Sequence, residues 1–477
     1  MSDLSRRKFV KNASIAAGAS SLAFSSIQAS AGDTYYNNLE GVGYGPLSPK
    51  KDQATGLYLL SLPEGFEYKS FGWTGQIMDD GRPTPTDHDG MAVVRQWRNY
   101  ISIVRNHELS AGESTQCYVP GGMYNENEFG GTTSLCFDLD TGEFVKSETS
   151  LGGTIRNCAG GPTPWSSWIS CEETFHPWNS RSDGYNHGYI FDVPGFGISD
   201  GLPIRAAGRF AHEAVAVDPR SGIVYETEDA RDSAFYRYVQ PGAGSKNWRN
   251  GRGKLQTLSD NGELYAMVVN EESRKDLKNR NGLIKEGDSF PVTWELVADP
   301  EAQFGRTFDS SPNAAVLSRG EGCWEDHGSI YFVSTDGGPA NLGQVWEYCT
   351  AEEELTLVFE ADDASEVDGP DNIAVSPRGG IILCEDGDSN PKRMVGLSHH
   401  GEIFQFCENN VVLADGDIDT VDAVFPGTKE NFWDDHVGDF RSREWAGATF
   451  YDNWLFANIQ SPGITFAITG PWEKGKL

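Results

Sequence analysis

Polar or acidic residues open a repeated strand-turn-strand unit in this chain and acidic clusters mostly close it, and carboxylates gathered at strand ends are groups that can hold cations. The unit reads six times, at Asp89–Glu108, Asn157–Glu173, Glu213–Asp229, Glu321–Asp336, Asp371–Asp386 and Glu444–Gln460. Its ends supply Asp89, Glu108, Glu172, Glu173, Glu213, Glu228, Asp229, Glu321, Asp336, Asp371, Glu385 and Asp386, with Asn106 and Asn372 as neutral oxygen donors. Carboxylates brought to one place repel one another, so they must either retain protons or take up multivalent cations. An all-oxygen set favours a hard cation such as Ca2+, with Fe3+ or Mn2+ where the geometry is tighter. Any one of these residues alone reads as a turn or strand-end cap; the argument for metal rests on six recurrences in phase.

The elements that must position these groups are strands. Short apolar runs such as AVAV, GIVYE, SIYFVS and GIILC, separated by Pro, Gly and Asp, are hairpin signals. A supersecondary unit of this size, repeated with further strands between copies, predicts an all-β chain folded as a β-propeller of six blades, with the acidic strand ends at its axis. The apolar segment from Leu455 to Ile468 is expected to close the ring with the N-terminal region, since propellers avoid open edges by closure. One interruption, the charged stretch Glu271–Asn281, predicts a short exposed helical insertion. No Pro/Ser-rich linker divides the chain, so residues 32–477 read as one domain, with 32–60 as an irregular leader on its surface.

Three histidines lie beside the acids. His107 and His212 precede Glu108 and Glu213, and side-chain alternation along a strand turns them away from the axis to pack or orient neighbours. His88 falls in the loop RPTPTDHDG and is expected at the channel mouth.

The N-terminus addresses the chain to export. Ser5-Arg6-Arg7-Lys8-Phe9 precedes a weakly apolar run from Ala13 to Ile27 and the small residues Ala29-Ser30-Ala31, so residues 1–31 read as a twin-arginine signal recognised by the twin-arginine translocase. That run is too short for a membrane span, and the mature chain is expected in the periplasm or outside the cell, as a monomer. A formal charge of −32, made more negative by removal of the signal, disfavours nucleic acid as a partner. The eight cysteines include no CxxC pair, which argues against zinc-ribbon and thioredoxin chemistry, and they read as mostly free thiols. The chain also carries neither a GxSxG elbow nor a Rossmann fingerprint.

Longer motifs carry a resemblance. NHE at Asn106–Glu108, NCAGGPTPW with SCEE over Asn157–Glu173, GRFAHEAVAV at Gly208–Val217, STDGG and GQVWEY over Ser334–Tyr348, DGPDNIAVSPRGGIILCEDG at Asp368–Gly387 and ANIQSPGITFAITGPW at Ala457–Trp472 resemble the PhoX alkaline phosphatase family. The resemblance runs in order over nearly the whole mature chain. It implies twin-arginine export, a β-propeller, and hydrolysis of phosphomonoesters by a calcium and iron cluster bridged by an oxygen species. Transferred motif by motif, it makes Glu108, Glu172 or Glu173, Glu213, Asp336, Asp371 and Glu385 metal ligands. Arg209 and Arg231 are the expected phosphate anchors. Two other classes stay open: a calcium-stabilised scaffold or binding propeller, and a Ca2+-dependent lactonase-type hydrolase.

Overall fold

The computed structural model describes residues 43–113, 115–245, 248, 258–431 and 437–477; the twin-arginine segment expected over 1–31 lies outside them. Six antiparallel hairpins form where the repeated unit predicts them. They are His88–Trp97 with Tyr100–His107, Asn157–Pro162 with Ser167–Glu172, His212–Val217 with Val224–Glu228, Gly320–Asp326 with Ser329–Ser334, Pro370–Val375 with Ile381–Glu385, and Trp445–Tyr451 with Trp454–Ile459. Further strands extend each hairpin outward, as Gly130–Asp138 and Glu143–Thr154 do for the first. The opening strands of the six hairpins contact one another in chain order, and the last returns to the first. That cycle makes the fold a β-propeller with the opening strands innermost.

Close approach of the innermost strands depends on glycine. A Cβ on Gly90 would sit 2.6 Å from the Ala159 Cα, and one on Gly447 would sit 2.8 Å from the Gly90 Cα. Side chains at these points would push the strands apart and widen the axis. Outside the axis the blades are glued by apolar clusters, including Met267, Phe332, Trp346 and Leu357 between the third and fourth hairpins.

Closure joins the two ends of the chain. Glu67–Phe71, a strand from near the start of the described chain, pairs with Ile464–Thr469 in the final sheet, so an early strand and the last strands share one blade, and no blade is left with an exposed pairing edge there. The leader is less irregular than its sequence suggests, because Ser48–Lys50 pairs with Leu60–Leu62, which extends the outer strand Ile403–Asn409.

The helix predicted over Glu271–Asn281 does not form; only a three-residue 3-10 turn, Glu272–Arg274, is present. Tertiary bonding overrides the local pattern there. Leu277 is buried, Asp276 bridges to Val316, and the Asn279 side chain bonds both backbone groups of Ile284. Helix appears instead at Asp415–Val424 and Thr428–Asn431, whose acidic sequence hides a small buried face of Ile418 and Val421. Among the described residues no helix is long and apolar enough to cross a membrane.

Candidate metal centre at the propeller axis

All six innermost strands open with the same irregularity: the register slips between the first and fourth residues, at His88/Met91, Asn157/Gly160, His212/Val215, Gly320/Cys323, Pro370/Ile373 and Trp445/Ala448. A bulge bends a strand and re-aims the side chains beside it. The second residue of each strand lies within the bulge: Asp89, Cys158, Glu213, Glu321, Asp371 and Ala446. On the partner strand, the residue just past the bulge pairing is Glu108, Glu173, Asp229, Thr335, Asp386 or Gln460.

Ligand-type atoms from these positions, and from Glu444 just before the sixth innermost strand, converge in three overlapping groups. Asp89, Glu108 and Glu444 form one, Glu213, Glu321 and Asp371 a second, and Cys158, Glu173 and Glu213 a third, each with its donor atoms within 4.8 Å of one another. Burial and mutual repulsion push the Asp89, Glu173, Glu213, Glu321 and Glu444 carboxyls well above the usual carboxylate range. Asp371 is pushed up to about 8 by burial first and then by Asp386, against the pull of Arg319. Burial and then Glu213 raise the Cys158 thiol as well. Such a ring needs either protons or cations.

Two arginines reach this ring. Arg156 Nη2 lies 2.6 Å from Glu108 and 2.5 Å from Glu173; Arg319 donates to Asp229 at 2.9 Å and lies 2.8 Å from Glu321. Both stand immediately before an innermost strand, and both have left-handed backbone, with φ of 49° and 48°. Asp87, at the same position in the first hairpin, has φ 48°, and Gly369 in the fifth has φ 60°. For a non-glycine residue this conformation costs on the order of 1 kcal/mol or more, and it persists where the surroundings over-determine it. Here it delivers side chains to the rim of the axis.

Other residues expected at the centre face elsewhere. Glu172 accepts from His187 at 2.6 Å and from the backbone N–H groups of Ile155, Gly188 and Tyr189. Glu228 is bonded to Arg306 and to the Tyr236 hydroxyl, both at 2.9 Å. Glu385 is held by two 2.7 Å bonds from Arg393. Each is the paired strand residue next to Glu173, Asp229 or Asp386, and alternation sends it into the blade. Asp336 stands one residue past the ring position, which Thr335 fills, and pairs with Arg280.

Arg209 is buried with its donors committed to the carbonyls of Glu301, His176 and Ala302, under the rings of Phe175 and Trp178, so it pins loops rather than the axis. Arg231 is exposed in the turn after Asp229. His88 is not in a loop at the mouth; it opens an innermost strand and is fully buried, bonded to the Pro85 carbonyl and facing Arg105. His107 and His212 pack behind the ring, His212 against Glu226 at 3.0 Å. Asn106 is likewise structural, donating to the Cys158 and Ala159 carbonyls.

Four ring or rim residues were not singled out from the sequence: Cys158, Glu444, Arg156 and Arg319. The ring is therefore not all-oxygen. Superimposing the six hairpins on their bulges, rather than on their acids, finds all four, since each sits at a fixed offset from a strand start.

A profile of the family described as alkaline phosphatase PhoX matches residues 42–150 and 138–463. No curated protein matched at the sequence level. Among solved structures, Pseudomonas fluorescens PhoX in complex with vanadate, a transition state analogue, is similar in fold over 92% of this chain and 99% of its own, at 18% identity and a TM-score of 0.63. A gluconolactonase from Xanthomonas campestris covers the same 92% of this chain and 99% of its own at 11% identity, but its TM-score of 0.38 is too low to bear on function. With the family profile spanning most of its length, the chain belongs to the alkaline phosphatase PhoX family.

Proposed function

We propose that the protein is an exported, metal-dependent phosphomonoesterase whose reaction takes place on the carboxylate ring. The observation that carries this reading is the convergence of buried acids from different blades on one axis, with Arg156 and Arg319 at its rim. The donor set fits several hard cations: Asp89, Glu108, Glu173, Glu213, Glu321, Asp371 and Glu444 offer oxygens, and Cys158 offers one sulfur suited to a transition metal such as iron. Ions held there would polarise the phosphoryl oxygens and activate the attacking water.

The chain's own residues supply the rest. Arg156 and Arg319 present planar, always-charged donors that match phosphate oxygens, and each is oriented by two carboxylates before substrate arrives. Because the ring is buried, charges developing on the phosphoryl group meet fixed dipoles rather than bulk water, which strengthens every interaction. The chain's charge of −32 repels phosphate esters at long range, so the cations and the two guanidinium groups must reverse the local potential. The twin-arginine segment supports the export part of the reading, since that route carries proteins already folded around their cofactors.

Protein purified from its native export route is the material for the test. It should release phosphate from a chromogenic phosphomonoester at alkaline pH, with inorganic phosphate competing. Binding of calcium or phosphate with no turnover under any metal condition would instead favour the scaffold class.

A further inference from the structure

The fifth residue of the innermost strands lies three beyond the ring position, deeper along the axis. It is Ala92, Gly161, Ala216, Ala374 and Thr449 in five blades, and Trp324 in the remaining one, the fourth. Five small side chains leave a hole at this level, and the indole is the one group large enough to fill it.

The contacts of Trp324 show how far it reaches. It packs against the neighbouring cluster that holds Ile373 and Val375, and against a second that holds Ala374 and Ala448. It also packs against a third cluster, containing Ala92, Val94 and Trp168, that belongs wholly to the first two blades. The blade that carries Trp324 is the fourth, with the third on one side and the fifth on the other. Contact with the first two blades therefore requires the side chain to cross the axis. Beyond it, at the ends of the strands opposite the carboxylates, Trp324 lines a cavity of about 180 Å³ with Pro162, Pro164, Val217, Pro219 and Glu325.

We propose that Trp324 is a stopper that seals the axial channel beneath the ring, so that ions, substrate and phosphate exchange through the carboxylate end alone. A second entrance from the far face would put bulk water under the ring and weaken the electrostatics on which it depends. With one entrance, the organic part of a substrate must remain at the mouth while its phosphoryl group goes in first, which selects terminal phosphates. That consequence for substrates rests on the phosphatase reading above; the seal itself does not.

Cys158 in the ring is a built-in reporter for the test, which uses neither substrate nor turnover. The full-length protein, as purified and after chelator treatment, is exposed to a small neutral thiol reagent such as methyl methanethiosulfonate, and modification of the Cys158 peptide is timed by mass spectrometry. Trp324→Ala should raise that rate by about tenfold or more over wild type, because a hole that size admits water-sized and slightly larger probes. Trp324→Phe should stay near wild type. A bulky maleimide placed beforehand on Pro164→Cys, at the far-face cavity, should return the Trp324→Ala rate toward wild type and leave the wild-type rate unchanged. Equal rates in a folded Trp324→Ala protein would overturn the proposal. So would slowing of the wild-type rate by the Pro164→Cys block, a measurement that stands even if Trp324→Ala does not fold.

Discussion

Arg319 Nη2 lies 2.8 Å from Oε1 of Glu321, the second residue of the innermost strand that Arg319 immediately precedes. The strained backbone at Arg319 and the bulge that follows place guanidinium and carboxylate side by side at the axis, and a second carboxylate, Asp229, holds the same guanidinium from the preceding hairpin. An arginine fixed by two acids has few conformations left to lose when a phosphate arrives.

Arg319→Met should therefore lower kcat/KM for a phosphomonoester about 100-fold, or ~2.7 kcal/mol of transition-state stabilisation, and should weaken competition by inorganic phosphate. Arg319→Lys keeps the charge but not the two-pronged geometry and should fall between. Steady-state kinetics with phosphate as inhibitor reads both, and an unchanged kcat/KM in Arg319→Met would remove this residue from the reaction.

Removing metal should expose the cost of the ring. In the metal-free protein the ring acids have folded-state pKa values above their unfolded ones, with Asp371 at about 8, so the folded state binds more protons than the unfolded state between the two values. Stability must then fall as pH rises through that window, from about 4 to about 8 for Asp371. Bound cations replace those protons, so the loaded protein should lack this decline and melt at higher temperature. Melting curves from pH 5 to 9, with and without chelator, test the sign; a metal-free protein that grows more stable with rising pH would contradict it.

Glu213 and Glu385 separate ligation from packing. Glu213 has ring neighbours on two sides, whereas Glu385 is clamped by Arg393 inside a blade. Glu213→Gln should lose metal and turnover together and keep the fold. Glu385→Gln should retain metal but lose roughly 3 kcal/mol of stability, because it leaves the Arg393 guanidinium with a neutral partner in a buried site. Elemental analysis beside a denaturant titration distinguishes them, and metal loss in Glu385→Gln with stability intact would reverse the assignment.

The blades were legible in the sequence because hairpins leave a period-two apolar pattern between turn residues, and the closing strand showed itself as the apolar run ending at Ile468. What alternation could not decide was phase. At Glu172-Glu173, Glu228-Asp229 and Glu385-Asp386 two adjacent acids present the same composition, and only the register of the partner strand says which one turns to the axis. The bulges that set this register carry no residue signature of their own, since the bulged residues range from Gly90 to Asn372. Cys158 was obscure for a related reason: a small apolar thiol in a strand reads as core until its neighbours are known.

Cys158 is where the chemistry of the ring is most sharply testable. Its sulfur is the one soft donor in the three acidic groups, beside Glu173 and Glu213. Calcium gains little from sulfur, while a transition ion gains a thiolate bond and forces the raised thiol to ionise. Cys158→Ser should thus deplete any bound iron several-fold or more while leaving calcium nearly at the wild-type level, and turnover should follow the iron. Alanine at the same position should do the same, which separates loss of the sulfur from loss of a hydrogen bond. Equal loss of both metals in Cys158→Ser would mean that the thiol shapes the ring as a whole rather than selecting one ion within it.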